Sequence, residues 1–146
     1  LYRQVFNRHL RNYHFSNTRM EETRSFQSRS KATGHDGEDE ACRFITELGY
    51  RIVKRNFSYG RIGEIDIVAM DGDQLVFIEV KARTNNFSYG KPEDAVDWRK
   101  QKQLKRLAEG YYHINKLQDQ ACRFDVIAVD KSRGKCEVRH IKTAFY

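Results

Sequence analysis

GEIDIVAMDGDQLVFIEVKAR, residues 63–83, holds two apolar runs around Asp71-Gly72-Asp73, the pattern of a β-hairpin. Four charged residues, Glu64, Asp66, Glu79 and Lys81, interrupt the runs. Side chains alternate across a strand. Glu64 and Asp66 are therefore expected on one face with Val68 and Met70, and Glu79 and Lys81 on one face with Leu75, Phe77 and Arg83. A turn of two or four residues makes these faces coincide, and a loop of Asp71 to Gln74 sets Asp66 opposite Glu79. A three-residue loop separates them unless a bulge restores the register.

Two carboxylates brought together repel each other and lose hydration. A divalent cation offsets both costs, and Mg²⁺ is commonly held by one or two carboxylates with water and phosphate oxygens completing its shell. Asp66 and Glu79 match that donor set. Lys81 projects to the same place, where it would orient or deprotonate a water or stabilise charge on a phosphate. The competing account is a solvated strand face, on which Glu–Lys pairs contribute about 0.2–1 kcal/mol. Residue types alone leave both open.

Working outward, Asp36 is expected to cap a helix carrying Glu38 and Asp39 in its first turn. Ala41, Phe44, Ile45 and Leu48 form its apolar stripe and Gly49 ends it. YRIVKRNF, 50–57, is a predicted strand, and 58–62 a loop. Residues 84–92 form a polar loop, with Pro92 in the first turn of a second helix that runs to about Tyr112. Leu104, Leu107, Ala108 and Tyr111 mark its buried face. RFDVIAVD, 123–130, is a nearly continuous apolar strand of the kind buried on both faces. A final strand is predicted over 135–142. The pentapeptide NFSYG occurs at 56–60 and again at 86–90, in unlike surroundings, and is read as coincidence between two loops.

The chain has 146 residues, 39% of them hydrophobic, the size of one domain with a modest core. No run is long and apolar enough for a membrane span. Lys and Arg number 27 against 20 Asp and Glu, an excess that favours a polyanionic partner. Cys42, Cys122 and Cys136 lie far apart, without CxxC or Cys/His ligand spacing. Reduced thiols in a cytoplasmic compartment are the simplest expectation. The five histidines are equally scattered.

Residues 1–35 differ from the rest, being rich in Arg, Ser, Asn and Thr with only Glu21 and Glu22 as acids. A disordered basic arm is the first expectation, with an organellar presequence or a phosphate-gripping arm as others. The sequence opens on Leu1 rather than Met, so it need not start where the natural protein does. The ordered domain is expected over 36–146.

GEIDIVA followed by LVFIEVKAR resembles the PD-(D/E)xK nuclease superfamily, with Asp66 as the first acid and Glu79-x-Lys81 as the second half. The closer likeness is to the YraN-type family, similar to archaeal Holliday-junction resolvases. GEDEACRFITELGYRIVKRNF resembles that family's opening helix and first strand, and WRKQKQLKRLAEGYY and CRFDVIAVD its second helix and fourth strand. The likeness covers roughly residues 34–142. It implies an α/β fold with a restriction-endonuclease-like core, a mixed β-sheet flanked by helices in the order α-β-β-β-α-β-β. It implies Mg²⁺- or Mn²⁺-dependent hydrolysis of DNA phosphodiester bonds, with branched or Holliday-junction DNA as an expected substrate. Asp66 and Glu79 become metal ligands and Lys81 the catalytic lysine. Glu38 becomes a further acid near the metal, and Gln101 a further site residue. For Glu38 and Gln101 the plainer roles, a helix-dipole partner and a helix-boundary glutamine, stay open, as does peripheral metal binding by Glu64.

Phosphate contacts are expected from Arg83, Arg99, Lys100, Lys102, Lys105 and Arg106, although basic helix residues also serve as a solvated face. Cutting a junction requires two sites on two strands, so a homodimer is expected for that substrate. A nucleic-acid-binding module of the same fold without catalysis is the alternative, and a purely structural partner protein the third.

Overall fold

A computed structural model describes residues 29–83, 96–131 and 135–146. Of the arm expected over 1–35, residues 1–28 lie outside these residues and the remainder falls in the first helix; the loop over 84–92 with Pro92 and the second NFSYG also lie outside. The elements are α1 (Arg29–Glu47), β1 (Arg51–Ser58), β2 (Glu64–Asp71), β3 (Gln74–Arg83), α2 (Trp98–Asn115), β4 (Cys122–Asp130) and β5 (Glu137–Phe145). This is the α-β-β-β-α-β-β order predicted from the sequence.

The five strands form one sheet in the order β1-β2-β3-β4-β5. β1–β2, β2–β3 and β4–β5 pair antiparallel, and β3–β4 pairs parallel. A parallel pair needs a crossover, which is where α2 falls in the chain. Ile67, Ala69, Val76, Ile78, Ile127 and Val129 pack with Ala41, Cys42 and Ile45 of α1. Val68, Met70, Leu75, Phe77, Phe124 and Val126 pack with Leu104, Leu107, Ala108 and Tyr111 of α2. Burial on both faces is why β2, β3 and β4 read as almost unbroken apolar runs.

The β2–β3 turn settles the register. Asp71 pairs with Gln74, Met70 with Leu75 and Ile67 with Ile78. Only Gly72 and Asp73 remain in the loop, and Gly72 takes φ +59, the positive φ that primed hairpin turns require at this position. The four-residue loop of the sequence prediction is thus shortened by one closing pair with no change of register. The β2–β3 pairing stops at Ile67, however, and the strict alternation breaks there: Ile65 packs in the α2 core beside Val68. On the other side of β2, Asn56 lies between the pairs Arg55–Ile67 and Phe57–Ile65, and it adopts φ +50. The left-handed residue turns the strand end over opposite Asp66.

Both helices depart from their expected bounds. α1 begins at Arg29, so Asp36 lies within it and is not its cap. Leu48, expected in the stripe, is 52% exposed, while Cys42 is buried. Gly49 does end α1, with φ +89. Its N–H donates to Thr46 O at 3.0 Å and that of Tyr50 to Ile45 O at 2.9 Å, the paired bonds of a Schellman close. α2 starts at Trp98, after the predicted first turn at Pro92, because Asp97 stops it: its backbone is extended and its carboxylate accepts the Lys100 N–H at 2.8 Å. α2 runs on to Asn115, where Lys116 at φ +51 closes it. β5 likewise extends past the predicted 142, to Phe145.

Gly37 sets how closely α1 sits on the sheet. A Cβ there would lie 2.5 Å from the Ala82 Cβ, closer than two carbons can pack. The missing side chain brings the following residue, Glu38, toward the ends of β2 and β3.

Candidate active site

Where the β2–β3 ladder stops, Asp66 takes the place of the next backbone partner. Its Oδ2 accepts the Val80 N–H at 2.6 Å. Val80 lies between Glu79 and Lys81, so this bond holds the β2 carboxylate against the segment carrying the other two residues. Glu79 is 5% exposed. Lys81 Nζ donates to its Oε1 at 2.9 Å, and Lys100 Nζ stands 3.1 Å from Oε2 as an ion pair. Oε2 is buried without a hydrogen bond.

The electrostatics of Asp66 reflect this crowding. Its pKa is raised to about 7, first by burial and next by the Glu79 carboxylate; Glu38 adds to the rise, while the Val80 N–H and Lys100 oppose it. A carboxyl that holds its proton near neutrality beside a second buried carboxylate marks a candidate functional site.

Glu38 reaches the edge of this field, and its partners are now visible. Asn56 Nδ2 donates to Glu38 Oε2 at 3.0 Å and to Glu64 Oε1 at 3.2 Å, and Arg55 stands 3.8 Å from Glu38. One left-handed asparagine therefore bridges the first-helix acid and the strand-end acid. Among the described residues no three His, Cys, Asp or Glu side chains stand close enough to form a metal-ligand group. The residues whose donors could hold a hard divalent cation are Asp66 and Glu79, two carboxylates of which the second already carries Lys81 and Lys100 and the first is disfavoured as an anion.

Gln101 turns elsewhere. Its side-chain nitrogen donates to Val96 O at 2.8 Å, a bond that secures the entry to α2, as the plainer reading held. The α2 residue that reaches the two carboxylates is Lys100, placed by sequence reasoning among the phosphate contacts. The 3.6-residue period alone could have flagged it, since Lys100, Leu104 and Leu107 fall on one side of α2. The roles of Val80 N–H and Asn56 had no sequence signal, because one is a backbone group and the other depends on a left-handed φ.

Arg99, Lys100, Lys102 and Arg106 line a groove of about 700 Å³ between α2 and the loop after β1, with Arg61, Ile62, Asp97 and Gln103. Lys105 is exposed but does not line it. Arg83 ends β3, and its side chain falls outside the described residues.

A separate buried network lies on β4. Arg123 donates to Asp125 at 3.0 Å, to Asp71 at 2.8 Å, to Gln74 at 2.9 Å and to the Tyr50 hydroxyl at 2.6 Å. Asp125 Oδ2 meets His140 Nε2 at 2.8 Å, and Oδ1 accepts the Thr143 N–H at 2.9 Å. Burial would raise the Asp125 pKa, but the His140, Arg123 and Thr143 hydrogen bonds together hold it below the ordinary value. Scattered histidine positions gave no hint of this pair.

The family model of the uncharacterised protein family UPF0102 matches residues 37–129, a span that includes every residue of the site just described. A UPF0102 protein of Acetivibrio thermocellus is 41% identical over 124 residues, covering 82% of this chain and 95% of the relative. One of Desulforamulus reducens is 43% identical over 118 residues, covering 78% and 95%. One of Chlorobaculum tepidum is 46% identical over 120 residues, covering 77% and 90%.

Proposed function

The chain belongs to the uncharacterised protein family UPF0102, and on that premise we propose that it is a divalent-cation-dependent endonuclease that hydrolyses DNA phosphodiester bonds. The observation that carries this reading is Asp66 held on the Val80 N–H at 2.6 Å, beside a Glu79 that is 5% exposed, with the Asp66 proton retained to about pH 7 in part by the Glu79 charge.

Asp66 and Glu79 would hold Mg²⁺ or Mn²⁺, with Glu38 behind them as a further negative charge. When bound, the cation would polarise the scissile phosphate and lower the pKa of a coordinated water. The chain's own groups do the rest. The Val80 N–H fixes the Asp66 carboxylate in place. Lys81, 2.9 Å from Glu79, would orient the attacking water and stabilise the negative charge on the phosphoryl oxygens in the transition state. Water attacks phosphorus and releases a proton to solvent, the bond to the leaving sugar oxygen breaks, and that oxygen takes up a proton from solvent. Branched DNA, including the four-way junction, is the proposed substrate class, with two copies of the chain acting on a junction.

A second reading is a nucleic-acid-binding module without catalysis. It is favoured by the two ammonium groups already on Glu79, Lys81 at 2.9 Å and Lys100 at 3.1 Å, which balance its charge without a metal. Incubation with linear, flapped and four-way-junction DNA, with and without Mn²⁺, separates the two. Cleavage that requires Mn²⁺ and disappears in folded Asp66→Asn and Lys81→Ala variants supports the nuclease. Salt-sensitive binding with no cleavage of any substrate supports the module.

A further inference from the structure

The basic groove has features that phosphodiester hydrolysis at Asp66 and Glu79 does not call for. Its walls are α2 and the loop that carries Arg61 and Ile62. The two are fastened together: Gln103 Nε2 donates to Ile62 O at 2.5 Å. Gly63 takes φ +134, and a Cβ there would collide with the Gln103 amide. At the other end of the loop the Tyr59 ring covers Gly110 so closely that a Cβ on Gly110 would overlap it. The groove is therefore a pre-formed feature, which lowers the ordering cost of a bound strand.

Its charge is one-sided. Arg61, Arg99, Lys100, Lys102 and Arg106 line it, against Asp97 alone, and the Asp97 carboxylate is engaged with the Lys100 N–H. Lys100 lines the groove and pairs with Glu79 at 3.1 Å, so one side chain joins the groove to the candidate active site. No acid among the described residues pairs with Arg61, Arg99, Lys102 or Arg106. Crowded cations of this kind favour a polyanion.

Beside them stands Trp98, 67% exposed, with the Arg99 guanidinium over its ring at 5.5 Å from the centroid. An exposed indole beside cations offers a face on which a base can stack. In a double helix the faces of the bases are covered by their neighbours. Only an unpaired base offers a face to an aromatic ring.

We propose that this groove binds an unpaired nucleic-acid strand, its phosphates along Arg61, Arg99, Lys102 and Arg106 and one base stacked on Trp98. The proposal rests on the nuclease reading only for placing the scissile phosphate at the groove's end. It makes the preferred substrate one with a single-stranded segment next to the cut, such as a flap or the open arms of a branched junction.

Trp98 is the single tryptophan of the chain, so its fluorescence reports the contact directly. The full-length chain, in EDTA so that no cleavage intervenes, is titrated with a 16-mer of oligo-dT, a 16-mer of oligo-U and a blunt duplex of the same length. Oligo-dT is expected to quench the emission, while the duplex leaves it nearly unchanged at equal phosphate concentration. Quenching by oligo-U as well supports the same site, since stacking and phosphate contacts do not require the deoxyribose. Trp98→Ala, followed by anisotropy of labelled oligo-dT, is expected to weaken binding by about 5- to 150-fold, with Trp98→Phe recovering part of it. Arg61→Gln and Arg106→Gln should each lower the salt slope by about 0.7. No quenching by either single strand, or equal quenching by the duplex, overturns the proposal. Cleavage without quenching overturns it while leaving the nuclease reading intact, and quenching without metal-dependent cleavage has the reverse effect.

Discussion

Asp66 Oδ2 accepts the Val80 N–H at 2.6 Å, a side chain standing in for the strand partner that β2 no longer supplies beyond Ile67. The bond has two consequences. It keeps an unsatisfied amide from being buried at the point where the strands part, and it sets a carboxylate where the Glu79 charge raises its pKa. The site is thus made by the interruption of the sheet, and the charges that weaken the hairpin occupy the interrupted end.

Asp66→Asn keeps an oxygen for the Val80 N–H and removes the charge. The native pKa of about 7 lies above the ordinary 3.8. Native protein therefore holds a proton that the unfolded chain has released, and stability from this group is full below pH 3.8 and lost as pH rises through 7. Urea denaturation should show wild type losing stability between pH 5 and pH 8 by an amount bounded at about 3 kcal/mol. The variant should lose less over that range and be the more stable form at pH 8. An unchanged pH dependence in the variant would mean that Asp66 is solvated and ionised throughout.

Lys100 opposes the rise in the Asp66 pKa and faces Glu79 Oε2 at 3.1 Å. Lys100→Met keeps the aliphatic stem and deletes the charge. The Asp66 carboxyl resonance, followed by NMR, should then titrate higher than in wild type, and Lys100→Arg should bring it back. A residue that merely solvates the helix face would leave the resonance where it was. Loss of DNA binding with no change at Asp66 would return Lys100 to the phosphate track where its sequence context first put it.

The contrast between Lys100 and Gln101 shows how far the sequence could be followed. Strand alternation and the turn residues were enough to give the register from Asp71–Gln74 to Ile67–Ile78, because register is a local property once the loop length is known; that Asp66 binds the Val80 N–H where the ladder stops was not legible. The buried face of α2 was equally legible, since Leu104, Leu107, Ala108 and Tyr111 repeat with the helix. Which residue on the rim of that face leans inward was not. That depends on where α2 starts, and Asp97 in place of Pro92 decides it. Asn56 was hidden for another reason: nothing in RNFSYG announces a left-handed asparagine inside a strand, yet its conformation ties Glu38 to Glu64. The Asp125–His140 pair was hidden because β4 and β5 meet through a register shift between Phe124 and Val126, which a strict alternation does not foresee.

Asp125 predicts the acid limb of stability. It is 1% exposed, and its pKa is held below the ordinary 3.8 by the hydrogen bonds that outweigh its burial. For a depressed carboxylate the contribution is present above the unfolded value and lost as pH falls through the folded one. Wild type should therefore weaken as pH drops below about 4. Asp125→Asn should be less stable at neutral pH, since Arg123 and His140 lose a charged partner while still buried. Its stability should also change less over the acid range, as read from denaturation midpoints at pH 7 and pH 3. A variant with wild-type stability at pH 7 would show that the network is only loosely coupled to folding.

Cation binding is the prediction on which the chemistry depends most directly. If Asp66 and Glu79 together hold Mg²⁺ or Mn²⁺, the cation must displace the proton that Asp66 retains near neutrality, because only the ionised carboxylate is a good donor. Affinity should then rise with pH through about 7. Calorimetric titrations with Mn²⁺ in buffers of different ionisation enthalpy should report up to one proton released per ion at pH 6 and fewer at pH 8. Saturation should raise the melting temperature by mass action, about 2.7 kcal/mol at a hundredfold excess over Kd. Asp66→Asn should abolish the proton release and most of the binding, and Glu79→Gln the binding with its buried oxygen now neutral. Lys81 and Lys100 compete with the ion for Glu79, so raising salt should leave the buried pairs largely in place while weakening DNA binding along the open groove. Binding that is independent of pH, or that survives in Asp66→Asn, would place the cation elsewhere and leave Glu79 to its two lysines, the arrangement a non-catalytic module requires.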